Sequence, residues 1–294
     1  MPAKPSEFEE KEYEAPLYNQ LESGTNLIWS PGQVFEHHIG IDRAMLLQNP
    51  AVWKVFGYDR ALPGVLLETY DWNFIWRRRQ RRPLPDFKLN LFVQAKRCYF
   101  YNRRPGHLKG AALHSPCWRF NIEEVQQEAF ERVEDKIRDR ALLCYAAPVF
   151  HRLTQLYAHT RSCTIVQNST FPSVGVLSGH SAWYFDSPGG SGVANPQPEA
   201  IDGPDLSSLL GGFIRENADQ RNHSVAQLAS LINEGLSDLG ATNSRVGIYF
   251  ERIRALRRAE EEYFIYSEEA RAFADVATFA DTFHLEWFVV GRPL

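Results

Sequence analysis

Gln94 and Lys96 stand two residues apart near the end of a hydrophobic segment, residues 87–97. Apolar and polar residues alternate along this segment, which predicts a buried β-strand. Because residues two apart in a strand lie on the same face, the amide and the ammonium are expected side by side. A lysine near the end of a core strand needs a negatively charged group nearby to stay charged. The chemistry of the pair therefore depends on which acid lies beside it.

Several carboxylates could partner this pair. If residues 86–94 form one extended strand, Asp86 lies about 26 Å from Gln94. That is too far for a shared metal ion, whose oxygen ligands lie within about 2–2.6 Å of it. Asp42 is the better candidate, because it ends its own alternating segment, and a neighbouring antiparallel strand could bring it within one strand spacing of Gln94. Glu14 and Glu36 could supply a further oxygen ligand or orient a water.

Two interpretations of such a cluster remain open at this point. In one, the acids hold Mg²⁺, or Mn²⁺ in its place, with few protein ligands and several waters. The metal would neutralise a scissile phosphate and activate water, while Lys96 stabilises the developing negative charge. In the other, Asp42 and Lys96 form an ordinary ion pair at the end of a sheet.

The pattern around the pair predicts an α/β core. A helix over about 123–138 precedes a fully apolar strand over 141–147, so that strand, helix and strand alternate along the chain. Further segments are assigned by the same reasoning: a short early helix ending near Ser23, an extended segment over 34–42, a helix over 149–160, an extended segment over 162–166, a loop over 187–204, helices over 206–217, 224–239 and 248–280, and a closing strand over 285–290.

Bulk composition is typical of a globular protein without a membrane span. The chain has 294 residues, of which 44% are hydrophobic, and its formal net charge is −4. It has no run of about 20 apolar residues, the length that a membrane span requires. The four cysteines form no CxxC pair, which predicts reduced, mostly buried thiols and a cytoplasmic location.

Charge is distributed unevenly, and one stretch is strongly basic. Residues 76–104 carry ten Lys or Arg against one acid. Arginines interleaved with aromatic residues suit phosphate contact and base stacking, but they equally suit an edge strand whose arginines reach into water. The candidate nucleic-acid contacts are Arg77, Arg78, Arg79, Arg81, Arg82, Arg103 and Arg104.

Taken in order, these features resemble the PD-(D/E)XK nuclease superfamily, in the variant where glutamine replaces the last acid, as in Mrr-like restriction enzymes. The resemblance rests on an early helix carrying Glu, on Gly40-Ile41-Asp42, and on a strand ending Gln94-Ala95-Lys96. A helix with Gln126 or Gln127, followed by an apolar strand, continues the same order. The match covers about residues 10–170.

The resemblance implies a restriction-endonuclease-like core, in which helices flank a mixed central sheet. It places a nuclease-like domain over residues 8–205, with an insertion at 48–84. A mainly helical C-terminal extension then covers 206–294. The insertion is required because 51 residues separate Asp42 from Gln94, more than a family hairpin normally contains.

The resemblance also assigns roles residue by residue. Asp42 would be the metal ligand of the second strand, and Gln94 would take the place of the usual acidic ligand. Lys96 would be the catalytic lysine. Glu14 would be the acid of the first helix, although Pro16 disturbs that helix, and Glu36 is its rival as a further metal ligand.

Three functions follow, of which the first is the leading hypothesis. The chain would be a Mg²⁺-dependent DNA endonuclease of restriction or phage-defence type. Alternatively, because an amide replaces the acid at Gln94, it would be a catalytically silent relative that binds nucleic acid or a partner helicase or NTPase. A weaker reading gives His180 a nucleophile such as Ser178 or Cys163, but no G-x-S-x-G turn supports it. The long 248–280 helix is expected to serve a subunit interface or a partner.

Overall fold

The structure is a computed structural model, and it describes residues 3–21, 27–29, 44–46, 87–108, 111–216, 224–263 and 268–291. The chain divides into two compact units, one of Met1–Tyr13 with Pro85–Leu294 and one of Glu14–Leu84. The strands, in chain order, are β1 (Lys4–Pro5), β2 (Leu27–Trp29), β3 (Ala44–Leu46), β4 (Phe87–Ala95), β5 (Tyr99–Tyr101), β6 (Cys117–Asn121), β7 (Ala141–Pro148), β8 (Ser169–Thr170), β9 (Ala182–Phe185), β10 (Ser191–Asn195), β11 (Glu199–Asp202) and β12 (Glu286–Gly291). The α-helices are α1 (Glu10–Leu21), α2 (Glu124–Ile137), α3 (Leu153–Arg161), α4 (Leu206–Glu216), α5 (Val225–Leu236), α6 (Ser244–Tyr263) and α7 (Glu268–Thr282). The predicted α/β class is confirmed.

The larger unit is organised around a mixed sheet of order β12-β4-β7-β8. Strand β4 pairs in parallel with β7, from Asn90 opposite Ala141 to Ala95 opposite Ala146. On its other edge it pairs antiparallel with β12. Its central residues Leu91, Phe92 and Val93 are all buried, as expected for a strand covered on both faces. The strands predicted over 141–147 and 285–290 are therefore present, and they are the two neighbours of β4.

Helix α2 lies in the connection from β4 to β7 and packs one apolar face against the sheet. Ala129, Phe130, Val133 and Ile137 are fully buried. Helix α5 approaches the backbone of α2 closely at Gly235, where a Cβ atom would lie 2.8 Å from the carbonyl oxygen of Arg132. The segment 206–294, predicted as an extension, thus packs a helix on α2 and adds strand β12 to the central sheet.

A second, antiparallel sheet has the order β1-β5-β6-β9-β10-β11. Its hairpin β10–β11 lies within residues 187–204, so the loop prediction for that segment is wrong. Glycines usually indicate a loop, but Gly192 lies inside β10. Glycine is required at this position because a Cβ atom would lie 2.4 Å from the ring of Trp183. Glycine in a strand often marks such a close approach.

Three other local predictions also differ from the structure. The single helix predicted over 248–280 is two helices, α6 and α7, joined side by side by ion pairs from Arg252 and Arg257 to Asp281 and Asp275. Two arginines of the segment that was expected to serve an interface therefore form contacts within the chain. The segment predicted as extended over 162–166 leads into a 3₁₀ turn at Val166–Asn168. The helix predicted over 149–160 begins only at Leu153.

The smaller unit is described only in part. Residues 14–21 continue α1, and β2 pairs antiparallel with β3, from Leu27 opposite Leu46 to Trp29 opposite Ala44. Most of the predicted insertion at 48–84 lies outside the described residues, so that prediction stays untested.

The strand β12 is held to β4 by Trp287, whose ring stacks on Phe92 at 6.1 Å between centroids. Its indole N–H donates to Asn90 Oδ1 at 3.0 Å. We expect Trp287→Ala to lower the free energy of unfolding by about 2–4 kcal/mol, because it removes a large ring and leaves a buried amide oxygen unpaired. Urea denaturation measures this change. The control Tyr157→Ala alters a side chain that is 60% exposed and should shift stability by less than about 0.5 kcal/mol. Equal effects from the two variants would show that β12 adds nothing to the stability of the sheet.

Candidate functional site

Lys96 lies directly after β4 and is almost completely buried, with 9% of its surface exposed. Its backbone N–H donates to the carbonyl oxygen of Ala146 at 2.8 Å, which extends the pairing with β7 by one residue. The ammonium lies 5.1 Å from the centroid of the Tyr145 ring, close enough for a cation–π interaction. The parallel pairing of β4 with β7 therefore fixes the lysine over the face of an aromatic ring.

Two buried glutamines accompany the lysine. The ammonium donates to Gln126 Oε1 at 3.5 Å, and Gln126 Nε2 donates to the carbonyl oxygen of Phe283 at 2.6 Å. Gln94 Nε2 donates to the same carbonyl oxygen at 3.4 Å. The structure thus brings together Gln94, Lys96 and Gln126, and it joins both amides to one backbone carbonyl at the end of α7. That carbonyl was not foreseen, because a backbone group leaves no mark in a sequence.

The side-chain oxygen of Gln94 is a possible ligand-binding atom of this site. It is buried and has no hydrogen-bond partner among the described residues. A buried amide oxygen without a partner costs free energy, and native proteins leave few such groups. A hydrogen-bond donor of a substrate would satisfy it, and so would a cation such as Mg²⁺, which binds oxygen ligands.

Two carboxylates that sequence reasoning missed act on the lysine. Burial is the largest influence and lowers the pKa of Lys96, while the negative charges of Glu10 and Glu123 raise it and Arg245 lowers it. Glu10, in the first turn of α1, accepts a hydrogen bond from the backbone N–H of Arg97 at 3.1 Å. Glu123 binds the guanidinium of Arg245 through both carboxylate oxygens, at 2.8 and 3.1 Å.

The position of each acid has a local explanation. Glu123 precedes α2, where a negative charge favours the positive end of the helix. It occupies the N-cap position of α2, two residues after the end of β6 at Asn121. Glu10 belongs to the acidic run at the start of α1 and lies four residues before Glu14. That run was the signal that could have identified it.

The two glutamines that the sequence offered on α2 have different partners. Gln126 faces the lysine, whereas Gln127 faces Tyr145. The hydroxyl of Tyr145 donates to Gln127 Oε1 at 2.5 Å, and Gln127 Nε2 donates to Val174 O at 3.0 Å and to Glu131 Oε1 at 2.8 Å. Burial keeps the pKa of Tyr145 above its ordinary value, so the phenol stays protonated. Gln127 therefore supports the ring on which the lysine lies.

Some of the other predicted site residues lie within the described part of the chain, and the rest lie outside it. Asp42, Glu36 and the arginines at 77, 78, 79, 81 and 82 lie outside the described residues. Glu14 is on α1 and belongs to the smaller unit. Arg103 is exposed, but the guanidinium of Arg104 donates to the carbonyl oxygens of Ala111 and Leu113. Arg104 thus stabilises its own loop.

The edge of β4 on which Asp42 was expected beside Gln94 is paired with another strand. The antiparallel neighbour of β4 is β12, which runs from Glu286 opposite Val93 to Gly291 opposite Phe87. The C-terminal strand occupies this edge because its apolar residues complete the central sheet. Gln94 lies one residue beyond the last β12 pair. Asp42 lies outside the described residues, so its predicted position stays untested.

The weaker hydrolase reading gains no support. The side chain of His180 is only 9% exposed, and its Nε2 lies 3.3 Å from Glu199 Oε2. Cys98, Cys117 and Cys144 are buried, as predicted. Burial raises the pKa of Cys117 to about 11 and that of Cys144 to about 12, so both stay protonated thiols, which are poor nucleophiles.

The described part of the chain holds no group of three or more His, Cys, Asp or Glu side chains placed to bind a metal ion. None of the helices described in it is long and apolar enough to cross a membrane. Comparisons with protein-family models, with curated proteins and with solved structures find nothing that matches this chain.

Burial of the Lys96 ammonium should make the free energy of unfolding depend on pH. A lysine titrates near pH 10.4 in an unfolded chain, and burial lowers its pKa in the folded protein. The unfolded state therefore binds more protons in the interval between the two pKa values, so this group contributes stability that grows as pH rises. We expect Lys96→Met to raise the free energy of unfolding at pH 7 and the difference from wild type to shrink towards pH 10. Denaturation at several pH values measures it.

The matched control is Lys136→Met, since Lys136 is 43% exposed and pairs with Glu234 on the surface. It should change stability by less than about 1 kcal/mol at any of these pH values. If Lys96→Met instead destabilises the protein at pH 7, the ammonium contributes more through its contacts than its burial costs.

Proposed function

We propose that this chain is a Mg²⁺-dependent DNA endonuclease of restriction or phage-defence type, acting in the cytoplasm and built on a restriction-endonuclease-like core. The observation that carries the proposal is the buried Lys96, set between Gln94 and Gln126 at the end of a β-strand. Strand β4 with its Gln-x-Lys, helix α2 with its glutamine and the parallel strand β7 follow one another as in the PD-(D/E)XK superfamily that the sequence resembles.

The environment of Lys96 suits a phosphodiester substrate. Hydrolysis of such a bond increases negative charge on the phosphate oxygens in the transition state, and a positioned ammonium in a water-poor site stabilises that charge strongly. Lys96 is buried, which lowers its pKa. Because it is shielded from water, its charged form is stabilised more strongly by a nearby anion than that of an exposed lysine would be. Gln126 and the Tyr145 ring hold the ammonium in one place before substrate arrives.

The residues present fit a divalent cation in part. Gln94 contributes a buried amide oxygen without a partner among the described residues, and Glu10 and Glu123 make the surroundings of Lys96 more negative. Asp42 and Glu36 are the proposed remaining ligands. When bound, Mg²⁺ or Mn²⁺ would supply a Lewis acid that polarises the phosphate and lowers the pKa of a bound water.

Binding to DNA would rely on the basic stretch. The proposed phosphate contacts are Arg77, Arg78, Arg79, Arg81, Arg82 and the exposed Arg103, with Arg104 orienting the loop that carries it. Neutralising several phosphates releases counterions, so affinity should fall steeply as salt concentration rises.

Cleavage of supercoiled plasmid DNA in Mg²⁺ tests this function. We expect wild type to cut, and Lys96→Ala and Asp42→Ala each to lower the rate by at least about 100-fold, since each removes a group that stabilises the transition state. The control Lys136→Ala removes an exposed lysine and should cut like wild type. Thermal unfolding shows whether the variants are folded. Equal activity in all four proteins would remove Lys96 and Asp42 from the mechanism.

One observation favours the second candidate, a catalytically silent relative that binds nucleic acid or a partner such as a helicase or NTPase. The described residues include no cluster of three potential metal ligands, and an amide stands at position 94. Fewer carboxylates hold a divalent cation less strongly.

Calorimetric titration with Mn²⁺ separates the two candidates. If the chain is the enzyme, wild type binds Mn²⁺ and Asp42→Asn abolishes binding, because it replaces a charged ligand by a neutral one. Asp135→Asn is the control, since Asp135 is exposed and pairs with Arg138. If wild type binds DNA but takes up no Mn²⁺, the catalytically silent candidate is favoured.

A further inference from the structure

Helix α7 ends in a Schellman motif in which a histidine occupies the position usually held by glycine. The backbone N–H of Leu285 donates to Ala280 O at 2.8 Å, and that of His284 donates to Asp281 O at 3.2 Å. These two hydrogen bonds define the motif. His284 has a φ of 55°, which is the left-handed conformation that the motif requires.

Backbone energetics alone would favour glycine here. A Cβ atom is disfavoured in the left-handed region, which glycine adopts freely. Histidine tolerates this region better than most residues do, but still less well than glycine. Residues kept in such conformations concentrate at functional sites. The presence of histidine therefore calls for a role of its side chain.

The position of His284 connects it to the lysine site. The residue before it, Phe283, provides the carbonyl oxygen that accepts hydrogen bonds from both Gln94 and Gln126. Whereas the lysine is buried, His284 is exposed to solvent. His284 thus directly follows a residue of the lysine site, and its side chain is accessible to an incoming molecule.

The charges around His284 overlap with those around Lys96. Burial of part of the ring is the largest influence on its pKa and lowers it; Arg245 and Lys11 lower it further, while Asp281 and Glu10 raise it. Arg245 and Glu10 act on Lys96 as well. At neutral pH the imidazole is therefore in its neutral form, with one N–H donor available.

We propose that His284 is a substrate-contacting residue, whose imidazole N–H donates a hydrogen bond to a non-bridging oxygen of the phosphodiester on which Lys96 acts. This inference rests on the proposed function. It assigns to the C-terminal segment, which has no counterpart in the family resemblance, a direct part in recognising the phosphate backbone.

The chain offers a matched control for the backbone effect. Cys163 has a φ of 52° and closes a second Schellman motif at the end of α3, where Thr164 N–H donates to His159 O at 2.9 Å and Cys163 N–H to Thr160 O at 3.2 Å. His284→Gly and Cys163→Gly therefore make the same change in the same backbone motif. His284→Asn keeps a side-chain N–H donor and a residue that tolerates this conformation.

The experiment measures thermal stability, binding of a short fluorescein-labelled DNA duplex in Ca²⁺, and cleavage of plasmid DNA in Mg²⁺. We expect both glycine variants to keep the melting temperature or to raise it by roughly 1–3 °C. Only His284→Gly should weaken binding and slow cleavage, each by about 10-fold, the effect of losing one hydrogen bond to a charged group. His284→Asn should recover part of that loss.

Several results would overturn the proposal. If wild type cleaves DNA and His284→Gly binds and cleaves equally well, the imidazole makes no contact with the substrate while the proposed function stands. If His284→Gly and Cys163→Gly lose activity to the same extent, the effect belongs to the backbone. If wild type neither binds nor cleaves DNA, the proposed function fails and this inference fails with it.

Discussion

The candidate site depends on keeping one ammonium group in the protein interior. Lys96 is taken out of water at the end of β4, and a charge in such a place requires compensation. The compensation comes from an aromatic ring on β7, an amide on α2, and the carboxylates Glu10 and Glu123. These groups belong to parts of the chain that are distant in sequence. A single buried charge therefore interacts with the start of α1, with α2 and with β7. The carbonyl of Phe283, which holds both glutamines, adds the end of α7 to the same assembly.

The sequence revealed the central fold where hydrophobic patterning was strong. Strand β4, helix α2 and strands β7 and β12 were all identified, because each is either a periodic or a continuous apolar segment. The hairpin β10–β11 was missed because Gly192 was interpreted as a loop signal, whereas the indole of Trp183 requires glycine there. The division into α6 and α7 was missed because neither glycine nor proline stands between Tyr263 and Glu268 to indicate it. In both cases tertiary contacts decided the structure, and a local pattern does not contain them.

The candidate site was foreseen to a similar degree. The period of two in β4 was enough to place Gln94 beside Lys96, and the helix pattern brought glutamines from α2 towards them. Neighbouring residues on a helix point in directions about 100° apart, so choosing between Gln126 and Gln127 required the position of Tyr145. Glu10 was overlooked among several glutamates of one acidic run. The role of Asp42 stays a prediction, and the sheet edge on which it was expected belongs to β12.

The pairing of β4 with β12 also has a consequence for how the protein is made. Val93 and Glu286 face each other in the sheet, but the ribosome adds most of the chain between producing one and the other. Until β12 emerges, β4 presents an unpaired edge, and the turn at Phe283 that secures both glutamines does not yet exist. Contacts so far apart in sequence form late and expose intermediates to aggregation. The lysine site is therefore completed only after Phe283 and β12 have been synthesised.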